Sequence, residues 1–394
     1  MRTVATDDLQ AGMMIAEDFR NLHGVAYLKA GTILTDRSIR QLQTMGVTQA
    51  TICDGGENPT TPDTSGLQEH LTKTQRFAHA IVKEKLDAFC LDGLMNPVFL
   101  RGSLPRIIRK ILDTEDDLIA LTQILEHDEY TFRHSVGVAI ISGFIGRLCH
   151  YSPKKLFPLV RGGFLHDIGK IDVPVEILNK PAKLSNEEFE IVQRHPVTGG
   201  ERLLAARGEN ARTLSLMAVQ HHQHIDGTGY PASQASEAIN RLARVVAIAD
   251  VYDALTSARS YKVAYKPHIA YRIMKKLSRG QFDERLLDLF FNNLVIFPVG
   301  SVLETSAGFA IVKAAPFGAT VRPRICVFAD DRYHMHDPFE IDLSKVPGVS
   351  VSSLLEDISL ISLTSRLRLN PAELLENDYP EISSLDDLPN GKSA

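Results

Sequence analysis

The sequence predicts a mainly α protein: an all-helical central domain between a small N-terminal α+β module and a small β-rich C-terminal segment. Three observations carry that prediction. Apolar residues recur at helical spacing from about Leu67 to Leu294, as in Phe77, Ile81, Val82, Leu86 and Phe89, and later in Leu286, Leu289, Phe290 and Leu294. A run of turn-forming residues, Gly55-Gly56-Glu57-Asn58-Pro59-Thr60-Thr61-Pro62-Asp63, precedes that stretch. After Phe297-Pro298-Val299-Gly300 the apolar runs shorten to strand length.

Taken in order, residues 1–56 form the α+β module. Gly12, Gly24 and Gly31 punctuate short β-branched runs such as Gly24-Val25-Ala26-Tyr27-Leu28, a helix is expected over Asp36–Met45, and Val47–Cys53 reads as a closing strand. Residues 57–66 have linker composition, and residues 67–297 form the helical domain. In residues 298–360 the segments Ser301–Glu304, Ala310–Lys313 and Arg324–Phe328 alternate like strands of a small antiparallel sheet. Residues 361–394, with Glu373, Glu376, Asp378, Asp386 and Asp387, have the composition of a mobile acid-leaning tail.

With 394 residues the chain outgrows a single hydrophobic core, so two or three domains are expected. A formal net charge of -5 argues against a duplex nucleic-acid partner, which demands a strongly basic surface, and leaves room for a small phosphorylated ligand held by a few local cations. Cys53, Cys90, Cys149 and Cys326 are scattered without CxxC spacing, which excludes a zinc ribbon and fits a reducing cytoplasm. The start of the chain reaches Asp7-Asp8 without the apolar core of a secretory signal, and the stretch from Val136 to Ile145 is far shorter than the roughly 20 apolar residues of a membrane span. No membrane span is expected.

The helical domain contains a set of imidazoles and carboxylates that packing does not explain: His134, His166-Asp167, His195, His221-His222 and Asp250. A lone histidine on an apolar helix is usually a hydrogen-bonded core residue. Five histidines and two aspartates, each in or beside a helical segment, instead suit a pair of divalent ions, because imidazole is the commonest transition-metal ligand and a carboxylate has two oxygens to share between ions. Such a site activates water and steadies charge on a phosphoryl group. Asp253, one turn beyond Asp250, is placed to orient a ligand or a water. Lys170, in Leu165-His166-Asp167-Ile168-Gly169-Lys170, is placed to meet a phosphate oxygen as a point charge. The loop Asp226-Gly227-Thr228-Gly229-Tyr230-Pro231 combines close backbone approach with a ring on which a base can stack. Arg259 and Lys262 form a second cationic pair suited to another phosphate.

At these residues the chain closely resembles the HD-GYP family of bacterial phosphodiesterases, a branch of the HD superfamily of metal-dependent phosphohydrolases. The motifs are His127-Asp128-Glu129-Tyr130-Thr131-Phe132-Arg133-His134-Ser135, His166-Asp167-Ile168-Gly169-Lys170, Arg194-His195-Pro196, His221-His222, Asp226-Gly227-Thr228-Gly229-Tyr230-Pro231 and Ala249-Asp250-Val251-Tyr252-Asp253-Ala254-Leu255-Thr256, spread over about residues 120–295. The resemblance implies hydrolysis of cyclic di-GMP to linear pGpG, GMP or both by a hydroxide activated between two metals, iron or manganese. It implies metal-ligand roles for His134, His166, Asp167, His195, His221, His222 and Asp250, with Asp167 bridging. Lys170 would bind the scissile phosphate; Gly229, Tyr230 and Pro231 would shape the guanine pocket; Arg259 and Lys262 would hold the dinucleotide.

Two positions depart from the family's pattern. Tyr130 stands where some members carry a glutamate that recruits a third metal, so two metals are expected; Gln223 replaces a glutamate found after the paired histidines in many members, which bears on ligand or loop orientation. Two alternatives stay open: a receptor that binds cyclic di-GMP with negligible turnover and signals to a protein partner, and a hydrolase of another nucleotide such as hybrid cyclic GMP-AMP or an alarmone. The N-terminal module is expected to regulate or to mediate a homodimer, the alternative being that it merely packs against the helices.

Overall fold

The computed structural model describes residues 2–16, 19–20, 26–28, 34, 38–39, 42–43, 47–52, 65–91, 95, 103–232, 239–257, 264–355, 363, 367, 370–385 and 388. The N-terminal module contains β1 (Arg2–Ala5), β2 (Phe19–Arg20), β3 (Ala26–Leu28) and β4 (Gln49–Ile52). β1 pairs antiparallel with β4, Arg2 opposite Ile52, and β2 pairs antiparallel with β3. Leu9, Ile15, Leu34, Leu42, Ala50 and Ile52 make its core. Of the helix expected over 36–45, residues 38–39 and 42–43 are helical and the others lie outside the described residues.

The helical part begins with α1 (Ser65–Leu91), followed by α2 (Ser103–Leu112), α3 (Glu115–His127), α4 (Glu129–Leu148) and α5 (Pro153–Leu165). A 3₁₀ turn over Ile168–Asp172 leads to α6 (Val175–Leu178), α7 (Asn186–Val192), α8 (His195–Ala205), α9 (Ala211–Gln220) and α10 (Arg241–Thr256). Local chemistry sets several of the starts. Asp128 accepts from the Thr131 amide at 2.8 Å and so caps α4; Ser185 and Glu188 form a reciprocal capping box on α7; Asn240 accepts from the Leu242 amide at 2.8 Å on α10. Val136, Val138, Ala139, Ile140, Ile141, Phe144 and Ile145 on α4 are fully buried, as are Val245, Val246, Ile248 and Ala249 on α10. Helices apolar on every side belong at the centre of a bundle, and these two carry His134, Asp250 and Asp253 into it.

The chain divides into two compact units, one comprising residues 1–86, 101–264 and 280–282, the other residues 87–100, 265–279 and 283–394. The second holds most of α11 (Pro267–Gln281) and all of α12 (Glu284–Phe291), then forms a six-stranded sheet from β5 (Val302–Thr305), β6 (Gly308–Ala314), β7 (Arg324–Ala329), β8 (Met335–Asp342), β9 (Val351–Leu354) and β10 (Glu381–Ile382). The strand order is β10-β8-β7-β6-β5-β9, antiparallel except for the β10–β8 pair. The acid-leaning tail differs from its expected character, since it supplies both β10 and a short helix, α13 (Pro371–Glu376). Lys313 of β6 holds the end of that helix, donating to the carbonyls of Leu374 and Leu375 at 3.0 and 2.9 Å, the favourable placement of a cation at a helix C-terminus. Among the described residues no helix is long and apolar enough to cross a membrane.

Candidate metal centre

Chain elements distant in sequence bring the seven expected ligands to one buried place. His134 projects from α4, His166 and Asp167 follow the last turn of α5, His195 opens α8, His221 and His222 follow α9, and Asp250 lies on α10. All are buried except His222, which is partly exposed. Ligand atoms of Asp167, His195, His221 and His222 lie within 4.8 Å of one another, and so do those of His134, His166 and Asp167. Asp167 belongs to both groups.

Hydrogen bonds fix what the imidazoles present to the centre. His166 Nδ1 donates to the Gly163 carbonyl at 2.9 Å, His195 Nδ1 to that of Val192 at 2.6 Å and His221 Nδ1 to that of Ala218 at 2.7 Å. A carbonyl only accepts, so each Nδ1 bears the proton and each Nε2 of a neutral ring turns a bare lone pair inward. Those lone pairs meet the Asp167 carboxylate, with His166 Nε2 3.2 Å from Oδ2, and His195 and His221 Nε2 3.2 and 3.7 Å from Oδ1. Acceptors facing acceptors in a buried space repel unless a cation lies among them. Consistently, His166 Nε2 and Asp167 Oδ1 are buried and make no hydrogen bond. Unpartnered nitrogen and oxygen donors of this kind fit divalent transition metals.

His134 is held differently. Its Nδ1 donates to Asp253 Oδ2 at 2.8 Å, and its Nε2 lies 2.9 Å from Asp250 Oδ1 and 3.9 Å from Asp167 Oδ2. Asp250 also reaches toward His222, 3.8 Å from its Nδ1. Burial by itself would depress the His134 pKa, but the hydrogen bonds to Asp250 and Asp253 outweigh it and push the ring up to about 9. Burial depresses His195, Asp167 opposing it, and holds His222 well below the usual imidazole value with help from His221, so both rings are neutral near pH 7. Burial works against ionisation of Asp167, yet the neighbouring His166 imidazole and the Lys170 ammonium hold its carboxyl well below the usual range. Asp250 is lowered against the same burial penalty, chiefly by the hydrogen bond from His134.

The remaining expected residues line the edge. Lys170 Nζ, half-buried, donates to Asp167 Oδ2 at 2.6 Å, so its ammonium already neutralises the shared carboxylate. The Tyr230 ring lies 4.6 Å from that of His222 and 6.3 Å from that of His195, centroid to centroid. Its loop is tied to the histidine pair: the Tyr230 amide donates to the His222 carbonyl at 3.1 Å, and Gln223 Nε2 donates to the Pro231 carbonyl at 2.9 Å. Gly229 has φ +86, and a Cβ there would sit 2.3 Å from the His222 carbonyl oxygen, so only glycine lets the loop lie so close. Gln223 thus positions the loop, while its Oε1 is buried without a hydrogen-bond partner. Tyr130 stacks on His134 with ring centroids 6.2 Å apart and offers no carboxylate. Arg259 and Lys262 lie outside the described residues.

Two residues at the centre were not singled out from sequence. Phe189 of α7 meets Tyr230 edge-on at 6.1 Å and is 45% exposed, a large aromatic at the mouth of the site. Lys85 of α1 pairs with Asp253 at 2.8 Å. A signal for Lys85 exists in the heptad-like run of buried positions Leu71, Thr74, Ala78 and Ile81, whose next step is this lysine.

Histidines and aspartates gathered around one carboxylate in a helical fold are a candidate metal centre, and residues 110–286 match the HD domain family. That segment is similar to HD domains, and its motifs resemble those of the HD-GYP branch. Over 240 residues the chain is 38% identical to a cyclic di-GMP phosphodiesterase of Pseudomonas aeruginosa, covering 60% of this chain and 56% of that protein. It is 36% identical over 232 residues to the cyclic di-GMP phosphodiesterase response regulator RpfG of Xanthomonas campestris pv. campestris, covering 52% of this chain and 61% of the relative. It is also 32% identical over 183 residues to a 3′3′-cGAMP-specific phosphodiesterase of Vibrio cholerae, covering 46% of this chain and 42% of the relative. The chain spans about half the length of these curated relatives.

Proposed function

We propose that the chain hydrolyses cyclic di-GMP to linear pGpG, GMP or both, in bacterial second-messenger signalling. The observation that carries this reading is Asp167, one carboxylate common to two sets of metal-ligating atoms. Asp167 with His134, His166 and Asp250 would hold one divalent ion, and Asp167 with His195, His221 and His222 the other. The mixed imidazole and carboxylate donors suit iron or manganese. Bound ions supply Lewis acidity to the phosphoryl oxygens and lower the pKa of water toward about 7.

The chain's own side chains do the rest. Lys170 offsets negative charge on the shared carboxylate and on a phosphate drawn up to it. Asp253 fixes the orientation of His134. Burial and the charges of Asp250 and Asp167 push the Tyr230 hydroxyl far above its usual pKa, so it stays protonated and its ring offers a neutral face to a base, with the exposed Phe189 beside it. Hydrolysis of a second messenger fits a reducing cytoplasm, where Cys149 and Cys326 stay outside any disulfide.

A second substrate, hybrid cyclic GMP-AMP, is favoured by the similarity to the Vibrio cholerae enzyme specific for that nucleotide. Incubating manganese-loaded or anaerobically iron-loaded protein with each nucleotide and separating the products by chromatography decides the matter. Linear pGpG or GMP from cyclic di-GMP is the expected result. Preferential loss of the hybrid nucleotide would select the second reading, and no turnover of either would overturn the assignment as a hydrolase.

A further inference from the structure

α1 precedes the segment that matches the HD domain family, yet it delivers a side chain to the ligand shell. Lys85 is mostly buried, with 17% of its side chain exposed, and its ammonium sits between Asp253 Oδ1 at 2.8 Å and Ser257 Oγ at 3.1 Å. Asp253 is 2% exposed, and its other oxygen takes the Nδ1 proton of His134 at 2.8 Å. The chain of contacts runs Ser257, Lys85, Asp253, His134. It needs space on α4 that only glycine leaves, because a Cβ at Gly137 would fall 2.0 Å from Asp253 Oδ1 and 2.7 Å from Lys85 Nζ. A lysine on the otherwise uncharged buried stripe of a helix is costly unless its partner is buried with it.

We propose that Lys85 is a positioning residue for the metal centre, holding the Asp253 carboxylate in place so that His134 presents Nε2 as a ligand. This rests on the reading of the cluster as a two-metal site. A carboxylate at Asp253 can only accept, which keeps a proton on His134 Nδ1, so the ion would take Nε2 by displacing the proton that this nitrogen otherwise shares with Asp250. Lys85 occupies the other carboxylate oxygen, so Asp253 cannot turn away from the ring without giving up an ion pair in a buried setting. The segment ahead of the matched domain therefore belongs to the working centre rather than to a spacer.

The test measures metal binding, not turnover. Manganese affinity and ions per chain are determined by calorimetric titration and metal analysis for the parent, Lys85→Met, Lys85→Arg, Asp253→Asn and the Lys85→Met/Asp253→Asn pair. Thermal unfolding of each metal-stripped variant checks folding. The expected result is two ions in the parent and affinity for one of them reduced about 10- to 100-fold in Lys85→Met. Lys85→Arg should recover most of the loss, and the double variant should lose little beyond Asp253→Asn. Parental affinity for both ions in Lys85→Met, or strictly additive losses in the pair, overturns the role of Lys85 while leaving the metal site intact. A parent that binds no ion removes the metal reading itself. Should Lys85→Met not fold, Ser257→Ala, which removes one of the two contacts of the ammonium, must weaken the same ion relative to the parent for the proposal to stand.

Discussion

The imidazoles of the centre are oriented by two different means, and only the side that holds His134 uses both. His166, His195 and His221 each lean on a carbonyl three residues earlier in their own segment. His134 instead leans on Asp253, 119 residues away, which in turn leans on Lys85, 168 residues from it. A backbone carbonyl comes with the turn that carries the histidine and cannot change its protonation. A carboxylate can, so the His134 side depends on long-range packing and on charge, and the other side depends on little beyond local folding. The His134 side is accordingly the place where a distant substitution reaches the chemistry.

The largest effect is expected where the comparison collapses, at the residue both sides share. Asp167→Ala should remove both ions and reduce turnover by at least about 10³-fold, because the two groups of ligands lose their common oxygen donors together. Metal analysis paired with a nucleotide assay checks this, and a fully loaded, active Asp167→Ala enzyme would refute the bridging role. The next largest effect separates the sides. Asp253→Asn should weaken one ion about 10- to 100-fold and leave the other near its parental affinity. Equal loss of both ions would mean that the two sides are not independent.

The rim should respond in substrate affinity and not in metal content. Replacing Phe189 or Tyr230 by Ala removes a face on which a base can stack, a contribution of about 1–3 kcal/mol, or roughly 5- to 150-fold in substrate affinity. The measurement is KM and kcat for cyclic di-GMP alongside ions per chain. Unchanged KM in both variants would place the bases elsewhere.

The same contrast explains which parts of the molecule could be read from sequence. His166-Asp167, His195 and His221-His222 come as short motifs because their supports are local, and α4 and α10 are legible because helices buried on every side are continuously apolar. Lys85 was not legible as part of the site: its partner is fixed by packing of α1, and only its place on a buried stripe hints at a role. Phe189 has the look of an ordinary apolar residue of α7, and its value comes from Tyr230, which reaches it from another loop. In the second unit, β5, β6 and β7 have the apolar runs of strands, whereas β8 hides behind Asp337, Pro338 and Glu340. Glu340 is buried because Arg324 lies 2.6 Å from it, a compensation that only the neighbouring strand reveals. Tail strand β10 likewise exists by pairing with β8, not by its own composition.

The smallest expected effect on function, and the sharpest control on the charge argument, comes from a second buried carboxylate beside a cation. Asp117 lies on α3, 1% exposed, with Arg161 Nε 2.6 Å from its Oδ1, but its Oδ2 has no hydrogen-bond partner. Burial outweighs the attraction of Arg161 and pushes its pKa from 3.8 up to about 6, whereas Asp253, served on both oxygens, is lowered against its burial penalty by Lys85 and His134. One cation is not enough; both oxygens must be satisfied. Because the folded pKa of Asp117 exceeds its unfolded value, its protonation favours the fold, a contribution present in full below about pH 4 and lost as the pH rises through about 6. A shift of roughly two pKa units corresponds to about 3 kcal/mol at most. Asp117→Asn should therefore match the parent in stability at pH 4 and gain on it progressively to pH 7, with metal content unaltered. Denaturant midpoints at several pH values read this directly. Parallel curves for parent and variant would show that a single cation does suffice, and Asp253 would then need no second partner to stay ionised.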